Sequence, residues 1–340
     1  MNQSELTLYV KQTAQSLGFD YFGIAKGEPV ETVHALEFKQ WIATGKHGEM
    51  SYLENNLEKR LNPCLLVPEC KSILCVAMNY APLEKIASDS YQLSYYAYGQ
   101  DYHDIVKQRL STLLKIITEK FVQEGLRKEL TKGSEKEHLQ ALLDTSKICV
   151  DTVPILERYW AQQAGLGWVG KSGQLIIPKA GTYFFLGEII LPVTLDYDKP
   201  AINKCGKCSR CVTACPTQAL LGDGMMDCRK CLSYLTIEYR GDQLIDPKSN
   251  ALLPISQAMN NNIYGCDICS QVCPWNRFAQ PTQIEAFKPR PELLAMTKQD
   301  WKTLTVLQYQ QLFKESAVKR AKYSGLVRNI KTVSAKEKKF

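Results

Sequence analysis

The sequence predicts an α+β fold in three parts: an N-terminal α/β sandwich-like domain over residues 1–200, a cysteine-rich module over 201–280, and a short helical, basic C-terminal segment over 281–340. Three observations predict it. Helix-period and strand-like apolar runs follow one another irregularly in the first 200 residues, which favours helices packed on a mostly antiparallel sheet. Nine of the thirteen cysteines lie between positions 205 and 273, eight of them in two spaced sets. From Lys314 onward, nine Lys or Arg stand against two Glu.

The elements follow in order. Leu6, Val10 and Leu17 recur at helical spacing, and YFGIA after them reads as a strand. KSILCVAMNY (71–80) is a second strand-like run. Residues 103–125 form an amphipathic helix with Val106, Leu110, Leu113, Leu114, Ile117 and Phe121 on one side. TKGSEKEH (131–138) is charged and aperiodic, so an exposed loop is expected there. KICVDTVP predicts a strand running into a helix whose first turn holds Pro154 and which ends at Gly165. QLIIP and TYFFLGEIILPV predict two more strands. Between them and the helix, GLGWVGKS (165–172) matches both G-x-G-x-x-G and G-x-x-x-x-G-K-S. Those phosphate loops need a strand before the glycines and a helix after them. Here the order is reversed, so the glycines are expected to cap a helix at Gly165 and let backbone pass close to a bulky neighbour.

With 340 residues and 45% apolar content the chain can bury real cores. MNQSELTLYVKQ has no basic-then-apolar leader and no eighteen apolar residues run together, so neither secretion nor membrane spanning is expected and the cytoplasm is the default address. That compartment keeps thiols reduced, so dense cysteines argue for metal. The basic C-terminus suggests an anionic partner such as RNA, and by charge alone reads equally as a solvated tail.

Cys205, Cys208, Cys211 and Cys215 follow C-x-x-C-x-x-C-x-x-x-C-P, and Cys231 joins Cys266, Cys269 and Cys273 in a stretched second set that ends in Pro274. Three closely spaced thiolates wrap one cubane, while the Cys before Pro ligates the other. The pattern therefore predicts a ferredoxin-like module with two [4Fe–4S] clusters: Cys205, Cys208, Cys211 and Cys273 on one, Cys215, Cys231, Cys266 and Cys269 on the other. Zinc, the alternative for C-x-x-C pairs, has no use for the third close Cys or the C-P ending. Cys228 reads as a spare thiol, and Cys64, Cys70, Cys75 and Cys149 as small buried hydrophobes.

With that module, DYH (101–103), VDTVPILERYWAQQAGLGWVGKS (150–172), CLSYLTIE (231–238) and YGCDICSQVCPWN (264–276) make the chain resemble epoxyqueuosine reductases over about residues 1–330. The resemblance implies reduction of the epoxide of epoxyqueuosine at the tRNA wobble position to queuosine, with electrons passed through two [4Fe–4S] clusters to cobalamin. It also implies a core similar to that of reductive dehalogenases, an unidentified electron donor and a monomer. Asp151 matches the proton donor, a role in which burial should raise its pKa; from the residues alone it reads equally as a cap of the helix near Pro154. Arg158 and His103 match active-site support, otherwise a surface charge and a structural histidine. Arg60, Asp151, Leu175, Leu186, Ser233 and Asp267 match cobalamin contacts, and Tyr239 and Arg240 fall where base recognition is expected. Ser94 departs from the pattern, standing where some relatives carry a Cys, and longer relatives add helical repeats that help grip tRNA. A small-molecule corrinoid reductase is the alternative, to which the RAKYSGLVRNIK segment is poorly suited; a plain electron carrier would leave the first 200 residues unexplained.

Overall fold

The computed structural model describes residues 1–126, 134–244 and 252–335, without the side chains of 252–254. Its strands in chain order are β1 (Tyr21–Lys26), β2 (Ser72–Asn79), β3 (Gln92–Leu93), β4 (Lys147–Cys149), β5 (Trp168–Val169), β6 (Leu175–Ile176), β7 (Phe184–Leu191) and β8 (Asn262–Tyr264). The main sheet runs β1-β2-β7-β4 with every pair antiparallel. Every β2 residue from Ser72 to Met78 is buried. Helices cover both faces of the sheet, which explains why this strand reads as a continuous apolar run rather than an alternating one.

On one face lie the helices Gln3–Ser16 and Tyr102–Gln123, the latter burying the six apolar residues its periodicity singles out. The other face carries the helix Glu157–Gln163, which buries Trp160 and Ala161 against Ile73, Cys75 and Ile190. A third core joins Tyr91 and Tyr98 to Tyr264, Trp301, Phe313, Leu326, Ile330 and Val333. Parallel pairing of β3 with β8 links the first part of the chain to the cysteine-rich part and sets Tyr95 beside Asp267.

Two local expectations change. Residues 131–133 lie outside the described residues, but 135–138 are not loop: Ser134 and Glu137 form a capping box that starts the helix Glu135–Asp144. Pro154 does not enter a helix; the next helix begins at Glu157 and Leu156, not Asp151, holds its cap position. The glycine loop is a β5-β6 hairpin. Gly165, at φ +78°, follows the helix end, and a Cβ on Gly167 would sit 2.2 Å from the Ile176 carbonyl oxygen. Among the described residues no helix is long and apolar enough to cross a membrane.

Candidate active site and cluster module

The chain leaves β4 through a bend in which Asp151 adopts left-handed backbone, φ +54°, a conformation that costs a non-glycine residue about 1–2 kcal/mol. The bend is held from both sides. The Glu157 carboxylate accepts the Asp151 backbone N–H. From the long helix, Tyr102 Oη donates to Asp151 Oδ2 at 2.8 Å, and His103 Nε2 lies 3.1 Å from the same oxygen. The other ring nitrogen, Nδ1, is 2.6 Å from Asp101 Oδ1, the carboxylate that also caps this helix. Tyr102 is itself clamped, stacked on Phe185 of β7 at 4.3 Å and 3°.

His103 therefore has a carboxylate at each ring nitrogen. Burial alone would lower its pKa, but the hydrogen bonds from Asp101 and Asp151 push it up to about 9. Asp151 moves the opposite way from the expectation above. Its bond to His103 holds the carboxyl below the usual range, outweighing burial, with Tyr102 and Arg158 helping; its side chain is 58% exposed. Behind it lie two carboxyls of opposite habit. Burial, then the Asp151 charge, raises Glu157, and burial raises Glu188, whose two oxygens have no hydrogen-bond partner. Glu188 is fully buried in β7, opposite both Cys75 and Cys149. Burial of this kind disfavours the charged form of the carboxyl.

Arg60 is buried, donating to the Tyr52 carbonyl at 3.2 Å and, more weakly, to that of Ile155 at 3.4 Å, while its Nε has no partner. Arg158 is exposed and donates to the Gly173 carbonyl of the hairpin at 2.6 Å. Asp267 accepts the Tyr95 backbone N–H at 2.7 Å, and burial pushes its carboxyl up to about 6. Leu175 lines the core under the hairpin, Leu186 packs partly buried against the same core, and Ser233 lies two residues past Cys231. Tyr239 and Arg240 sit at the C-terminal helix: Arg328 packs over the Tyr239 ring at 5.5 Å, and Arg240 donates to the Arg320 carbonyl.

Cysteines of the two sequence sets lie near one another. Burial, then the neighbouring Cys205, Cys211 and Cys208, raises Cys273. Burial, then Cys215, raises Cys231, and burial, then Cys231, Asp267, Cys211 and Cys215, raises Cys269. Trp168 Nε1 donates to Cys205 Sγ at 3.4 Å, and its ring meets Trp275, two residues past Cys273, edge-on at 4.9 Å. Among the described residues no three His, Cys, Asp or Glu close on a single-ion centre. Cys228 is buried beside Cys231, Cys70, Cys75 and Cys149 are buried, and Cys64 is partly so.

Sequence reasoning missed Tyr102, Glu157, Glu188 and the Tyr52–Arg320 pair, in which the Arg320 guanidinium lies 5.5 Å from the Tyr52 ring while holding Glu238 in a two-bond ion pair. Tyr102 and Asp101 were within the DYH triplet. Glu157 bonds a residue only six positions away, whereas the surroundings of Glu188 and of the Tyr52–Arg320 pair come from far along the chain.

Comparison with known proteins matches residues 60–152 to the family described as "Epoxyqueuosine reductase QueG, DUF1730" and residues 204–276 to the "4Fe-4S double cluster binding domain". The epoxyqueuosine reductase of Cellulophaga algicola is 38% identical over 321 residues, 94% of this chain and 95% of that one. That of Cyclobacterium marinum is 39% identical over 327 residues, 95% of each. Among solved structures, an epoxyqueuosine reductase with an epoxyqueuosine-modified tRNA-Tyr stem loop shares the fold at TM-score 0.80 and 24% identity, over 98% of this chain and 82% of that one.

Proposed function

Because the chain belongs to the epoxyqueuosine reductase family, we propose that it reduces epoxyqueuosine in the tRNA anticodon loop to queuosine, with Asp151 as the group that protonates the departing oxygen. The reaction takes two electrons and two protons: both epoxide C–O bonds break, a C=C bond forms, and the oxygen leaves as water. The observation that carries the reading is the Asp101–His103–Asp151 array beside the sheet domain, in a chain that also holds eight cysteines in the two-cluster spacing.

On this reading residues 1–200 carry cobalamin and the acid, 201–280 the clusters, and 281–340 a helical basic segment that helps hold RNA. The thiol groups fit two [4Fe–4S] clusters, with Cys205, Cys208, Cys211 and Cys273 on one and Cys215, Cys231, Cys266 and Cys269 on the other. The unpartnered Nε of Arg60 is a polar group of the kind a bound corrinoid would satisfy; Asp267, Leu175, Leu186 and Ser233 would complete the contacts. When bound, these groups supply electrons at low potential.

The chain's own residues handle the proton. In the resting protein it resides on His103, shared towards Asp151 Oδ2. As the substrate's base displaces water from Asp151, the carboxylate becomes costlier to keep charged, and the proton passes from His103 to Asp151 and on to the leaving oxygen. Tyr102 and the Glu157 carboxylate keep Asp151 in its bend, and Arg158 braces the hairpin. Tyr239 and Arg240, with Tyr52 nearby, offer a ring and a cation to unstacked bases.

The test is anaerobic reconstitution with iron, sulfide and cobalamin, followed by reduction and assay of an epoxyqueuosine-containing anticodon stem-loop. Cobalamin-dependent conversion supports the reading. A protein that holds about eight irons and cobalamin but leaves the stem-loop unchanged is a small-molecule corrinoid reductase instead.

A further inference from the structure

A cleft of about 1210 Å³ opens on the cysteine-rich module, lined by Cys208 and Cys273 and, from the other side, by Tyr95 and Tyr183. Asp151, His103 and Arg158 are not among its lining residues. Its charged lining residues are Lys85, Arg210 and Arg277, all cationic. None of the three forms an ion pair with a described residue: Lys85 lies over the Tyr95 ring at 5.4 Å, and Arg277 over Phe278 at 4.5 Å. Aromatic faces hold these cations without cancelling their charge.

The approach to the cleft has the same sign. Between Lys199 and Gly222 there are four basic residues, Lys199, Lys204, Lys207 and Arg210, and no acidic one. Glu84 stands next to Lys85, and Asp198, which is paired with Lys11, and Asp223 border the basic stretch in sequence. Two large apolar side chains stand unusually free close by in sequence: Leu83 is 74% exposed and Ile202, three residues before Cys205, is 79% exposed. Apolar contacts within a charged surround describe the small, transient interfaces of redox encounters.

The two thiol groups differ in their setting. Cys205 and Cys208 are flanked by exposed Lys204, Gly206, Lys207 and Ser209, whereas Cys231 and Cys266 are flanked by buried Leu232 and Gly265. The group at the cleft is therefore the outer one, and the other faces inward.

We propose that this cleft is the docking surface for an acidic one-electron carrier protein of low potential, which reduces the outer cluster. The proposal rests on the cluster assignment above and deepens it by naming the donor's class and its point of entry. In each encounter the carrier is oxidised by one electron, and the outer cluster would go from 2+ to 1+. Two encounters supply the pair that the epoxide takes up. An RNA backbone would also be drawn to the cations, but it has no use for a surface that opens on cluster ligands.

The test uses reconstituted full-length protein and follows bleaching of cluster absorbance after mixing with fully reduced flavodoxin, with photoreduced 5-deazariboflavin as an uncharged reductant. Charge reversal of Lys85→Glu with Arg210→Glu should slow reduction by flavodoxin about 10–100-fold at low salt, leave the deazaflavin rate and iron content unchanged, and abolish the salt dependence of the flavodoxin rate. The milder Lys85→Gln with Arg210→Gln pair should fall between. An unchanged flavodoxin rate overturns the proposal, as does weakened stem-loop binding with the flavodoxin rate intact, which would make the cleft an RNA surface. Failure of the stem-loop to be converted while the flavodoxin effect holds would remove the tRNA reading and leave the docking surface standing.

Discussion

His103 and Asp151 divide between them the property that sequence reasoning assigns to Asp151 alone. A carboxyl in contact with a histidine and a tyrosine ionises readily, and the histidine, bonded at both ring nitrogens, keeps the proton. Asp151→Asn preserves the bond from Tyr102 but has no proton to pass on, so turnover should fall about 10²–10⁴-fold with cluster and cobalamin content intact; the stem-loop assay reads this, and full activity would remove the acid role. The pair also sets a pH dependence of stability. The folded-state pKa of His103, about 9, lies above the ordinary 6.5, so the folded protein binds the extra proton. Its stabilisation is complete below pH 6.5 and is lost as pH rises through 9. His103→Gln should flatten that alkaline decline in denaturant midpoints, and an equally steep decline in the variant would show that other groups cause it.

Among the elements, the helix Glu135–Asp144 shows why local chemistry outranks apolar periodicity at a helix start. Ser134 and Glu137 satisfy each other's backbone donors, so the charged run begins a helix even though only Leu142 is buried. Ser134→Ala should cost about 1 kcal/mol, read as a lower denaturant midpoint. The C-terminal helix Lys322–Ser334 is more than a basic tail. It buries Leu326, Ile330 and Val333, and Arg328 donates to the carbonyls of Leu235, Tyr239 and Gly241. Leu326→Ala should therefore destabilise the protein by about 2–5 kcal/mol and loosen the segment around Tyr239 and Arg240.

At the scale of the molecule, the proposed crossing of the two cysteine sets would join distant stretches of chain. Cys231→Ser should lower the iron content by about one cubane, while Cys228→Ser should leave it unchanged; the opposite result would exchange their roles. Of the nine basic residues after position 313, Arg320 is paired with Glu238, Arg328 is bound to carbonyls, and Lys336, Lys338 and Lys339 lie outside the described residues. Removing residues 336–340 should weaken stem-loop binding and lower its salt slope without touching the buried Val333.

The amino-acid sequence by itself determined what depends on near neighbours along the chain. Thiol spacing set the kind of metal centre, because the reach of a ligand loop is fixed by covalent geometry. Apolar periods set the long helix and the strands, and the order of helix, glycines and strand ruled out a phosphate loop. Only the tertiary structure decided what depends on residues far apart meeting. Asp151 became a helper-bound carboxylate because a helix begun fifty residues earlier delivers Tyr102 and His103 to it. The Glu188 carboxyl is pushed up because helices cover both faces of its sheet. Protonation is set by the charges and water around a group, and folding alone decides which these are.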